Sequence, residues 1–377
     1  MKYRHFISLL TVSTLGLLSS CSSEESEPVD IGLIPIVLTS GNVTRALNAQ
    51  DTQLATSQTV YVWCKHTGTD NDYFRGWTLT SNGSGGFTGN TVYYPKDGKN
   101  IDFYAIHGNI TSPTITEQSL SSGVPSSTTA GTALPSSITH QVLADQRTDI
   151  NYSKSDLLST KVLNCGPRGH AGGNSYSVNL GFSHLLTRVE VAINTGEDLL
   201  PSDVAFVGLM NVKTQTTLSP ITFSNATPTV SNTATPIATE LKMHPVKTYN
   251  STNGVVAECI IPKQTITGNG STKVIFIELT DGKRFYYAPT SDLAFTNDAT
   301  SYRIELVVSK VELTAYKVSW SAWDWTGEGE ELGYYWPEIM SNMQGTVDSN
   351  DPDSQSLEWE YGSTGAGAEK QGGEWFP

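Results

Sequence analysis

This sequence predicts an all-β protein, with two tandem β-sandwich domains followed by a C-terminal appendage. Three observations point there. Short runs of β-branched and aromatic residues recur along the chain between Asn-Gly, Gly-Gly and Asp-Gly turns, while stretches with a helical apolar period are scarce. Charged residues make up only 16% of the chain, which suits an exported β protein rich in Ser, Thr, Gly and Asn. At 377 residues the chain is too long for one ordinary domain and long enough for two, each with a core of its own. The net charge of -14, with no clustered cations, argues against nucleic acid as a partner, because phosphate backbones need cations to neutralise them.

Residues 1–20 read as a signal peptide. Lys2 and Arg4 precede an uncharged run from Phe6 to Leu18, too short to span a bilayer as a permanent helix. It ends in Leu18-Ser19-Ser20-Cys21, a bacterial lipobox, so the Cys21 thiol is expected to carry acyl chains that hold the precursor to the outer membrane. The acidic run Ser22–Glu27 reads either as an export signal or as a solvated spacer. Cys64, Cys165 and Cys259 show neither redox nor zinc spacing. Two of them sit in apolar strand patterns, which favours buried thiols over a single bridge among the three.

Residues 21–45 form a lipidated propeptide carrying the first strand. The stretch IGLIPIVL supplies Ile31, Leu33, Ile34, Ile36, Val37 and Leu38, and Pro35 within it suits a sheet margin. A polar segment follows in which Arg45 is open to a protease. Residues 46–175 carry runs at Thr59–Lys65, Trp77–Leu79, Thr91–Tyr94 and Ile101–Ile106, with weaker ones at Gln141–Ala144 and Asp156–Leu158. They also hold a Ser/Thr/Gly/Pro-rich excursion, Thr111–Ser137, that no core is expected to need. Residues 176–325 carry the runs Leu186–Ile193, Val204–Leu209, Val255–Ile261, Lys273–Leu279, Arg284–Tyr287, Tyr302–Val308 and Ala315–Trp325, enough for a second sandwich. Residues 326–377 turn to Gly, Glu, Asp and Ser with scattered aromatics, which are wasteful in water and need a cover.

No catalytic, cofactor or metal site is expected. His66, His107, His140, His170, His184 and His244 are scattered, with no HExxH, and the glycine-rich loops lack the Lys-Ser/Thr of a phosphate loop. Asp348–Asp353 lacks the central glycine of a calcium loop, and no GxSxG nucleophile setting occurs. Two other readings remain open. A glycan-binding lipoprotein would stack sugars on Trp77, Trp323, Trp325 or Trp336, and a secreted hydrolase would assemble its carboxylates from distant positions.

Taken in order, the lipobox, the IPIVL strand, Thr44-Arg45-Ala46, IDFYAI, Asp156-Leu157-Leu158, LGFSHLLTRVEVAI, Ile261-Pro262-Lys263-Gln264-Thr265 and YRIELVV resemble the fimbrillin family, the type V pilins of Bacteroidales. The resemblance runs from Cys21 to Trp325. It implies two transthyretin-like sandwiches, lipoprotein export, and maturation by an arginine-specific protease that cuts between Arg45 and Ala46. It further implies that loss of Ile31–Leu38 opens a groove, filled by a strand from the appendage of another copy. Here Tyr334, Trp336, Leu357, Trp359 and Tyr361 are the donor candidates. The implied partners are further copies and other pilus subunits in a cell-surface fimbrium for adhesion or biofilm formation. An uncleaved anchor or a tip subunit is the variant role.

Overall fold

Glycine- and asparagine-rich turns cut the chain into short strands, which the computed structural model pairs into several sheets. It describes residues 33–40, 54–126, 131–167, 177–195, 199–224, 226–232, 237–249, 254–308, 313–322 and 345–347.

The first part of the chain gives β1 (Val37–Ser40), β2 (Thr59–His66), β3 (Asp72–Ser81), β4 (Phe87–Thr88), β5 (Ile101–His107), β6 (Ile110–Ser112), β7 (Leu120–Ser121), β8 (Val124–Pro125) and β9 (Ile138–Gln141). After these come α1 (Asp149–Ser155), β10 (Leu158–Cys165), β11 (Ser177–Leu180) and β12 (Ser183–His184). The central sheet runs β12-β10-β5-β2-β3-β4 and is antiparallel throughout. Its middle strand β5 is buried at every position, because the sheet is covered on both faces. Val62, Cys64, Phe74 and Phe103 pack toward β1 and β11, whereas Trp63, Tyr104 and Ile106 join the core of the rest of the molecule.

The second part supplies β13 (Thr187–Asn194), β14 (Val204–Lys213), β15 (Gln215–Ser219), β16 (Thr229–Asn232), β17 (Ile237–Lys242), β18 (His244–Tyr249) and β19 (Gly254–Ile261). It continues with β20 (Gln264–Ile266), β21 (Ile275–Leu279), β22 (Arg284–Pro289), β23 (Leu293–Phe295), β24 (Thr300–Val308), β25 (Leu313–Ala322) and β26 (Gly345–Val347). Two five-stranded sheets, β18-β19-β13-β24-β25 and β17-β14-β21-β22-β26, share a core that includes Val189, Val191, Cys259, Ile304, Leu209, Ile277 and Tyr287. Hydrogen bonds cross the expected division at residues 175/176. β11 and β12 pair with β1 and β10, and β15 and β16 form one sheet with β9 and β6.

Three local expectations change. Thr91–Tyr94 is not a ladder strand; it joins its neighbour through a single bridge at Tyr93 and flanking backbone bonds. The excursion Thr111–Ser137 does serve a core, since Ile115 and Leu134 pack against it and Thr132 O accepts from Trp63 Nε1 at 2.9 Å. The helix α1 has no counterpart in the sequence reading. Seven residues are too few to show a helical period, although Thr148 caps it by accepting from the Asn151 N–H at 3.2 Å.

The alternation in β13 places Arg188 and Glu190 on its outer face, and that face turns out to be buried. Glu190 stands directly opposite Glu258, a like-charge pair that would repel if left alone. Arg188 lies between them, reaching Glu258 at 3.3 Å and Glu190 at 3.5 Å, while Arg303 approaches Glu190 at 2.6 Å. The second sandwich is therefore tied by a desolvated ion network across β19, β13 and β24.

Candidate functional site

The segment of greatest functional interest is β1, because the polypeptide between it and Leu54 contains Arg45. β1 is not at a sheet margin. On one side it runs parallel to β11, with Val37 opposite Ser177 and Ser40 opposite Leu180. On the other it lies along residues 85–94. There Ile36 N–H donates to Val92 O at 2.8 Å, Tyr94 N–H to Ile34 O at 2.9 Å and Ser40 N–H to Gly85 O at 2.8 Å. Pro35 is tolerated between these two walls for a simple reason. The N–H groups that face residues 85–94 belong to even-numbered residues, and the β11 ladder begins only at Val37. The N–H missing at Pro35 thus costs no bond.

Side chains of residues 33–40, β1 with the extended stretch that leads into it and is counted with it below, alternate as a two-residue period requires. Ile36, Leu38 and Ser40 point inward with 6%, 5% and 7% exposure, whereas Leu33 and Val37 point out at 48% and 46%. Ile34 is half-buried against the same cluster. The pocket they fill is walled by Val92, Tyr94, Val178, Leu180 and Phe182. Its 85–94 wall is held from behind, as Tyr73 Oη donates to Tyr93 O at 2.5 Å and the Tyr93 ring rests on Gly123. That glycine has φ +77°, and a Cβ there would lie 2.2 Å from the ring.

A second feature escaped sequence reasoning because it is assembled from distant positions. His107, His140 and His184 gather at the C-terminal end of α1. His107 presents both ring nitrogens to carbonyls, Thr59 O and Ser153 O, at 2.8 Å each. His140 Nε2 lies 2.9 Å from Ser155 O, and His184 Nδ1 lies 2.8 Å from Asp156 Oδ2. The rings act as fasteners between the first sheet, β9 and the helix. Burial pushes His140 down from the ordinary imidazole value to about 4, against the opposing pull of the Ser155 carbonyl and Asp156. Neutral in the fold, it takes a proton near pH 6.5 once unfolded. Its contribution is therefore complete above that pH and is lost as pH falls toward 4, by about 3 kcal/mol. Chemical denaturation at pH 7 and pH 4.5 should show His140→Gln losing less stability on acidification than the parent. Parallel losses would contradict this.

The remaining sequence-based sites place as follows. Trp77 is buried and donates its Nε1–H to Asn90 O at 3.1 Å, so it offers no platform to a sugar. Cys64, Cys165 and Cys259 are free and buried, and burial pushes the Cys165 thiol up to about 11. Cys21, Ile31, Arg45, Ala46, Trp323, Trp325, Tyr334, Trp336, Leu357, Trp359 and Tyr361 lie outside the described residues. Within the tail, β26 adds to the edge of β22, with Val347 opposite Tyr287. Among the described residues no group of three His, Cys, Asp or Glu side chains is placed to hold a metal.

Among solved structures, the chain is similar to a putative cell adhesion protein from Bacteroides uniformis at 18% identity, TM-score 0.46, over 78% of this chain and 98% of that one. It is also similar to a putative cell adhesion protein from Bacteroides ovatus at 14%, TM-score 0.47, over 78% and 98%. A third is the tip fimbrial protein Mfa3 from Porphyromonas gingivalis, C-terminally truncated, at 10%, TM-score 0.38, over 77% and 99%. No curated protein matches it in sequence. The model of the fimbrillin-like family matches residues 44–325, three quarters of the chain. The chain therefore belongs to the fimbrillin-like family, a family of structural, non-enzymatic subunits of cell-surface pili.

Proposed function

We propose that this pilin is exported as a lipoprotein anchored through Cys21, is cleaved after Arg45, and polymerises when a strand from the tail of another copy takes the place of β1. The observation that carries the proposal is the position of β1. It is inserted between two backbone walls and buries Ile36 and Leu38, yet its only covalent link to the rest of the fold passes through Arg45. Cutting there turns a built-in strand into a separable peptide. Once that peptide leaves, both walls keep unpaired backbone groups beside an opened apolar pocket, a surface that favours strand addition. Head-to-tail filling of such a slot does not close on itself, so it extends into a fibre. The maturation protease, the lipid leaflet and other pilus subunits are the partners this cycle requires.

The test compares the parent with Arg45→Ala under an arginine-specific protease. The parent should yield a product that begins at Ala46 and forms filaments, and Arg45→Ala should give at least tenfold fewer. A product that begins at Ala46 yet stays monomeric, or equal assembly by the two proteins, would reject the proposal.

A further inference from the structure

The inward pattern of β1 is specific enough to select one segment of the tail and one register. Reading inward positions only, Ile34, Ile36, Leu38 and Ser40 give three apolar residues and then a small polar one. Pro35, Val37 and Thr39 alternate with them; the first two face solvent. The tail repeats this order once in Leu357-Glu358-Trp359-Glu360-Tyr361-Gly362-Ser363. Set against β1, Leu357, Trp359, Tyr361 and Ser363 fall on Ile34, Ile36, Leu38 and Ser40, and Glu358 and Glu360 fall on the exposed Pro35 and Val37. Building on the strand-exchange reading above, we infer that residues 357–363 of a second copy fill the slot of β1 in this register, parallel to β11.

Neighbouring registers fail on the same pattern. A shift by two residues one way puts Tyr361 where the buried Ser40 sits, and a shift the other way puts Ser363 in the apolar pocket of Leu38. A shift by one buries Glu358 and Glu360, and unpaired buried carboxylates are costly. The earlier candidate segment fares worse. With Tyr334 and Trp336 on Ile36 and Leu38, Glu338 lands on buried Ser40, and with them on Ile34 and Ile36 it lands in the apolar pocket of Leu38. That segment also lies between β25 and β26, both paired within the second sandwich, and so is tethered at each end. Residues 357–363 lie beyond β26, and the nine residues 348–356 span up to about 30 Å when extended, enough to leave their own subunit. Trp359 and Tyr361 are larger than the side chains they replace, so the 85–94 wall must move outward to admit them. In return they bury more apolar surface than β1 does.

Cysteine pairs test the register. Val37 and Ser177 are opposite and both exposed, so Glu360→Cys with Ser177→Cys should form intersubunit disulfides in oxidised filaments, giving a covalent ladder on a denaturing gel. Gly362→Cys with Asn179→Cys is the second in-register pair, matching Thr39 opposite Asn179. Glu358→Cys with Ser177→Cys is the shifted control and should link at least tenfold less. Filaments in which the control links better, or in which neither in-register pair links, would overturn the register while leaving strand exchange standing. Filaments from a chain ending at Val347, which keeps Tyr334 and Trp336, would likewise overturn residues 357–363 as the donor, whereas filaments from a chain ending at Trp325 would overturn the strand-exchange reading itself.

Discussion

A chain of residues 46–325 is expected to be less stable in its first sandwich than a chain of residues 28–325 by about 3–6 kcal/mol, the worth of burying two aliphatic side chains at about 1.5–3 kcal/mol each. Those side chains are Ile36 and Leu38. Both chains lack the tail, so neither can refill the slot. The loss is also structural, because β11 pairs with β1 in a two-stranded sheet, and Gly85, Val92 and Tyr94 bond to β1 through their backbone groups. Water entering the slot limits the penalty for those groups and keeps the estimate near the apolar term. Trp77 packs in the core that β1 closes, but Trp63 joins the other core and Trp320, Trp323 and Trp325 lie in the second half of both chains, so the midpoint is read from amide exchange in β2, β3 and β5 under increasing denaturant. Equal midpoints would show that β1 contributes nothing to the fold and would remove the reason for a replacement strand.

The second large effect lies in the other sandwich. Glu190→Ala is expected to cost about 3–5 kcal/mol, the range for breaking a buried ion pair while its partners stay buried. Glu190 receives Arg303 at 2.6 Å and Arg188 at 3.5 Å, so its removal leaves two guanidinium groups competing for Glu258 and Glu305. Glu190→Gln keeps the shape and loses only the charge. It should fall between the parent and the alanine variant in urea denaturation. A change below about 1 kcal/mol, the usual worth of an exposed pair, would mean that water reaches this face.

Much of the strand content was legible from period and turns alone. IDFYAI became β5 and YRIELVV became β24 with almost the expected bounds. What was not legible is what covers each face. The alternation in β13 separates Arg188 and Glu190 from Val189 and Val191, but it cannot say that both sets are buried, since the cover comes from distant segments. The same limit explains β1. Pro35 points to a free edge when read locally, yet residues 85–94 and 177–180 enclose the strand from opposite sides. Pairing between β9 and β15, and the meeting of His107, His140 and His184, likewise depend on which sheets stack. The slot itself was half legible, since the apolar stretch and the arginine behind it stand in the sequence and its two walls do not.

Amide hydrogen exchange across three forms, the uncleaved chain, the 46–325 monomer and the assembled filament, is the most direct test of strand exchange. Protection at Tyr94 and along 177–180 should be high in the uncleaved chain, collapse in the 46–325 monomer and return in the filament. Protection that stays high in that monomer, or that does not return on assembly, would contradict the account.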